Sequence, residues 1–118
     1  EEEMNKEPKV RSLGKVLTAG SANTIYTCPE NFISKVVLLF ISNHGGNNKT
    51  MTVKWTDVSA GETYFIIGGF VLSANGFLKL DTSYLVLNPG DTISITPEAG
   101  ASTDSSITVE EHYEQGLF

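Results

Sequence analysis

Two histidines and one cysteine bound the chemistry that this chain's side chains can perform. A Ser-His-Asp relay would have to take its imidazole from His44 or His112, and no Gly-x-Ser-x-Gly turn holds a serine in the strained position of a nucleophile. His44 stands beside Gly45 and Gly46, where a general base would be poorly fixed. Cys28, His44 and His112 lie far apart in sequence and match no zinc spacing. Asp57, Asp81, Asp91 and Asp104 each occur singly among turn formers, the place aspartate takes for backbone reasons, so calcium is the only metal for which ligands of a suitable kind exist. Nothing in the pattern supports a carboxylate pair for glycoside hydrolysis. Gly45-Gly46-Asn47-Asn48-Lys49-Thr50 ends like a phosphate-binding loop, but no glycine precedes the lysine and the residues that follow alternate as a strand, so the phosphate would lack its helix N-terminus. The residues thus give no catalytic group, no metal and no cofactor, and the chain reads as non-enzymatic. Trp55, Tyr64, Phe70 and Tyr84 are the candidates for an aromatic sugar platform, although aromatics at alternating strand positions usually belong to a core.

The elements that carry these residues are strands. Phe32 to Asn43 is the one stretch where apolar residues run on without alternating, and from Val36 to Ile41 both side-chain faces are apolar. That pattern predicts a mid-sheet strand covered on both sides. Before it come short strands at Leu13–Leu17 and Ala22–Thr27, the second ended by Pro29, which cannot donate to a ladder. After it Met51, Val53 and Trp55 alternate with Thr52, Lys54 and Thr56. Thr63–Ile67 returns the chain, and Gly68-Gly69 predicts a bend or a switch between sheets. Asn75-Gly76 marks a tight turn into Phe77–Leu80. Tyr84–Leu87 and Thr92–Thr96 flank Asn88-Pro89-Gly90-Asp91, where proline presets the first turn dihedral and glycine takes a positive one. A last strand runs from about Ile107 to Tyr113. With no amphipathic helical window, the chain predicts an all-β, single-domain antiparallel β-sandwich, jelly-roll-like, of eight or nine short strands.

Residues 1–12 are polar, contain Pro8 and show no period, so they predict an extended or disordered N-terminal arm ahead of a sandwich over 13–113 and a tail over 114–118. An arm of this kind would be ordered by a neighbour, with Met4, Pro8, Val10 and Arg11 as its candidate partner contacts. The 118 residues suffice for one domain with its own core. Of the net charge of −6, most sits at the ends: Glu1, Glu2, Glu3 and Glu7 at one, Glu110, Glu111 and Glu114 at the other. An acidic chain does not grip a phosphate backbone, so nucleic acid is excluded as a partner, and no apolar stretch approaches the length of a membrane-spanning helix. A lone cysteine closes no disulfide within the chain.

The order of these elements resembles small β-sandwich virion proteins of tailed bacteriophages. The resemblance spans roughly Leu17 to Glu111. It is carried by Ile25-Tyr26-Thr27-Cys28-Pro29, the strand Val36 to Ser42 ending in Asn43, Trp55-Thr56-Asp57, Gly61-Glu62-Thr63-Tyr64-Phe65, and Leu85-x-Leu87-x-x-Gly90-Asp91-x-Ile93. Family members often carry glycine after the proline where Glu30 stands here. The resemblance implies a structural protein of the virion, decorating or cementing the capsid, with other virion proteins (the major capsid protein first) and further copies of itself as partners. The alternative within the virion is a tail, neck or fibre component, and the resemblance transfers no catalytic residues. A carbohydrate-binding sandwich module is the alternative from another class, and it requires at least two coplanar exposed aromatics.

Overall fold

Nine strands run through the computed structural model, which describes residues 7–81 and 85–114: β1 (Lys9–Leu17), β2 (Asn23–Thr27), β3 (Phe32–Asn43), β4 (Lys49–Asp57), β5 (Glu62–Leu72), β6 (Phe77–Leu80), β7 (Leu85–Leu87), β8 (Thr92–Pro97) and β9 (Thr103–Tyr113). They form two antiparallel sheets. One has the order β1-β9-β3-β6, with β7 also paired to β3, and the other has the order β2-β8-β4-β5. The first half of the chain lies against the second: β1 pairs with β9, β2 with β8, β3 with β6 and β7, and β4 with β5. This is a long hairpin rolled into a sandwich, the jelly-roll topology, and it brings the first strand beside the last. Its core comes from alternate residues facing between the sheets, among them Leu39 and Ile41 of β3, Met51 and Val53 of β4, and Ile93 and Ile95 of β8.

The apolar run of β3 lies mid-sheet as its pattern predicts, with β9 on one edge and β6 and β7 on the other. Its two faces are not equally covered. Ser34, Leu39, Ile41 and Asn43 are buried, while Val37, Leu38 and Phe40 are only partly so. A register shift between Val36 and Leu38 opposite β9 supplies the reason: one extra residue there re-phases the alternation, so that a run of six apolar residues serves one buried face and one half-exposed face.

One boundary differs from the sequence reading, and one choice that it left open is decided. Lys9 to Ser12 belong to β1 and pair residue for residue with Glu111 to Thr108, so the edge of the sandwich reaches back to Lys9 and the arm cannot include them. Polarity misled here because β1 is an edge strand, exposed along most of its length, whose backbone pairing needs no apolar side chains. The Gly68-Gly69 break bends β5 without moving it to the other sheet. The pairing of β5 to β4 shifts register on both sides of Val53, with Gly69 at φ 73°, and resumes at Phe70. Bulges absorb the glycines, so no sheet switch is needed.

The Asn88–Asp91 turn forms as expected, with the Asp91 N–H donating to the Asn88 carbonyl at 3.0 Å and Gly90 at φ 89°. Its aspartate does more than turn the chain. Asp91 is fully buried and accepts from the Asn88 and Val58 N–H groups at 3.0 and 3.1 Å and from the Trp55 indole at 3.4 Å, tying β4, the β4–β5 turn and β8 together. Gly90→Ala should destabilise the domain by about 1 kcal/mol or more, because the new Cβ is strained at positive φ and meets Val58 Cγ2 at 3.2 Å. Urea melts of the two proteins check this; equal midpoints would contradict the turn assignment.

Candidate interaction surfaces

A buried polar knot lies between the sheets near one end of the sandwich. Glu111 on β9 is buried, and both of its carboxylate oxygens accept from the Arg11 guanidinium, at 3.1 and 3.0 Å. The Tyr26 hydroxyl donates to Glu111 Oε2 at 2.5 Å, which leaves its oxygen to accept from the Ser34 hydroxyl at 2.7 Å. Cys28 Sγ completes the chain at 3.2 Å from Ser34 Oγ. Burial by itself pushes the Glu111 carboxyl up, but the hydrogen bonds from Arg11 and Tyr26 and the charge of Arg11 outweigh it and hold the group below the ordinary carboxylate range. Burial also pushes the Cys28 thiol up, and burial and then Glu111 push the Tyr26 phenol up. Each shift keeps the thiol and phenol protonated and the carboxylate paired, the state of a structural cluster and not of a nucleophile. A buried glutamate beside an early arginine had no signature in sequence, since only the register of β1 against β9 makes them partners.

The histidines do not join this knot. His44 Nε2 lies 3.5 Å from Asp104 and His112 Nε2 lies 3.0 Å from Glu110, all four partly or largely exposed. Asp104 and Glu110 alternate with the buried residues of β9, so both pairs sit on the outer face of the five-stranded sheet. The two acids are six residues apart on one strand, about 20 Å, too far for one site. The Glu110 carboxyl is lowered, first by its hydrogen bond with His112. Among the described residues no three His, Cys, Asp or Glu side chains cluster as metal ligands would, and no helix is long and apolar enough to cross a membrane.

Of the residues expected to meet a partner, Met4 lies outside the described residues, Pro8 is exposed just ahead of β1, and Val10 is exposed on the outer face of the five-stranded sheet. Arg11 points to the opposite face, where Glu111 engages it. Trp55 packs against the core, Tyr64 tilts on it at 38° with centroids 5.2 Å apart, Phe70 is exposed further along β5, and Tyr84 lies outside the described residues. Trp55 and Tyr64 therefore do not offer the coplanar pair a sugar ring requires.

What the sequence reading missed is where the apolar surface goes. Among the described residues two regions stay uncovered. On the outer face of the five-stranded sheet, Phe40 of β3 and Phe77 of β6 stack at 5.2 Å with planes 9° apart, Phe77 being 61% exposed, and Leu38 and Val86 lie on the same face. The second region is β5, the last strand of the other sheet, where Tyr64, Phe65, Ile66, Phe70 and Val71 are all exposed. Phe65 is 66% exposed and carries the Lys54 ammonium 4.7 Å from its ring centroid. The signal for the first region was present in the two-faced apolar run of β3, read there as burial within the fold.

No family model and no curated sequence matches this chain. Solved structures do resemble it. The structure described as "Bacillus endospore appendages form a novel family of disulfide-linked pili" superposes with a TM-score of 0.56 at 13% identity, covering 95% of this chain and 93% of that one. A T13 viral particle of infectious bursal disease virus gives 0.57 at 11% identity over 93% of this chain and 32% of the viral one. The Gx strain of the same virus gives 0.53 at 12% identity, over 94% and 33% respectively. This chain therefore spans about a third of the viral protein's length. At these identities the likeness establishes the fold: an antiparallel jelly-roll sandwich of the kind also found in a viral particle and in a pilus.

Proposed function

We propose that the protein is a non-enzymatic structural subunit of a bacteriophage virion that decorates or cements the capsid through protein–protein contacts. The observation that carries this reading is the outer face of the five-stranded sheet. A sandwich acting alone keeps its outer faces polar, whereas here the stacked Phe40 and Phe77 share the middle of that face with Leu38 and Val86, with Lys35 and Lys79 interspersed among them. Val10, on the same face at the β1 edge, and Pro8 just ahead of it would extend the contact. The knot around Glu111, the separated histidines and the buried thiol give the fold rigidity and no reactive group, which supports an assembly role. Jelly-roll neighbours from a viral particle and a pilus fit the same reading by fold.

Phe77→Ser combined with Val86→Ser should abolish co-sedimentation with capsid shells of the virus that carries the gene, and leave the fold intact because both side chains are largely exposed. Unchanged shell binding would overturn the capsid assignment. Binding of the wild-type chain to tails, and not to heads, would move the protein to a tail, neck or fibre position. Specific binding on a glycan array with no virion association would favour the carbohydrate reading instead.

A further inference from the structure

We infer that β5 is a self-pairing edge: two copies of this chain join antiparallel about a two-fold axis at Tyr64, so that the Glu62–Ile66 segments of the two copies run against one another, making one continuous eight-stranded sheet. The inference rests on the assembly reading above and names the surface that joins copies to each other, as distinct from the outer face assigned to the shell.

The sheet edges differ in how they are guarded. β1 presents Lys9, Arg11 and Lys15 along its nine residues, β2 has five residues and a register shift, and β6 and β7 have four and three. Charge, brevity and irregularity are the devices by which natural edges resist pairing. β5 has eleven residues, of which Glu62 alone is charged, and no proline. Bulges interrupt it, but only from Ile66 onward: Glu62, Thr63, Tyr64 and Phe65 pair one for one with Asp57, Thr56, Trp55 and Lys54. This regular stretch turns every second N–H and C=O away from β4, and a free antiparallel edge is complementary to a second copy of itself.

Charge selects the second copy and this register. A chain of net charge −6 repels its own kind over most of its surface, and the β5 edge is a neutral strip where that repulsion is least. With the axis at Tyr64 the two Glu62 side chains fall about 14 Å apart along the strands, beyond a Debye length of about 8 Å. Tyr64 and Phe65, 44% and 66% exposed, then cover one another's copies on the two faces of the new sheet.

Cysteine trapping on the full chain tests this. Residues at a two-fold axis between antiparallel strands have Cα atoms about 4.5 to 5.5 Å apart, within the span of a disulfide. In a Cys28→Ala background, Tyr64→Cys should give a disulfide dimer on mild oxidation, and Val16→Cys, exposed on β1 in the other sheet, should not. Tyr64→Lys with Phe65→Lys should weaken the dimer measured by sedimentation equilibrium at least about tenfold; thermal melts confirm that each variant folds. A monomer at all concentrations, or a dimer that Tyr64→Cys does not trap and the lysines do not weaken, would overturn the inference. Neither result touches the Phe77 and Val86 shell-binding test, and a β5 dimer that binds no shell would separate this inference from the capsid reading.

Discussion

Ile41→Ala is expected to lower the unfolding free energy by about 3 to 4 kcal/mol, in the upper part of the range for emptying a well-packed aliphatic site. Ile41 is fully buried on the inner face of β3, between Ser105 of β9 and Leu78 of β6 in the same sheet and under the core side chains of the facing sheet. A rigid sandwich clamped on both edges of this strand cannot collapse into the space, so the cavity adds to the lost transfer energy. Val16→Ala, on the exposed face of β1, should stay within about 0.5 kcal/mol and serves as the comparison. Denaturant unfolding of both variants decides the point. A small effect at Ile41 would mean that the inner face of β3 has been assigned to the wrong register.

The second large effect is expected at the knot. Arg11→Ala leaves the Glu111 carboxylate buried with the Tyr26 hydroxyl and without its guanidinium, and should cost about 2 to 3 kcal/mol at neutral pH. That lies below the usual 3 to 5 for breaking a buried pair, because water can reach the half-exposed Arg11 position. The pH dependence gives the cleaner signature. Glu111 has a carboxyl pKa lower in the folded protein than in the unfolded chain. Its contribution is therefore fully present above the unfolded carboxylate pKa, near 4.3, and is lost as pH falls through the lower folded value. Wild type should lose stability steeply below about pH 4, and Glu111→Gln should lose less over the same window. Parallel pH profiles for the two proteins would show that Glu111 does not carry this loss.

Strands and turns were readable in the sequence because each has a local cause. Asn88-Pro89-Gly90-Asp91 specifies its turn by dihedral preference, and Met51 to Thr56 alternates with the period of a half-buried strand. The tertiary features were not readable, because they depend on register and on edges. Lys9 to Ser12 have the composition of an arm and the hydrogen bonding of a strand, and only the presence of β9 decides between them. The guanidinium of Arg11 is held by Glu111 on the last strand of the same chain, a pairing that only the register of β1 against β9 reveals. Buried Asn43 ends the run of β3, and no local pattern announces that its side-chain amide donates to the Asn47, Leu72 and Ser73 carbonyls and so fastens the β3–β4 loop to the end of β5. The apolar outer face was visible as excess hydrophobicity in β3, but a bulge at Val36–Leu38 had to be known before that excess could be placed outside the core.

The pairing of the first strand with the last sets how this protein must fold. Arg11 and Glu111 are 100 residues apart in sequence, so β1 has no edge to join until β9 has left the ribosome and found β3. Contacts this distant place the domain among slow folders, on the order of milliseconds to seconds. During that delay the β5 edge, with Glu62 as its single charge, is present without a completed sandwich behind it. Expression at high rate or high temperature should therefore send newly made chains into aggregates before β1 closes the sheet, and slower synthesis should raise the soluble yield.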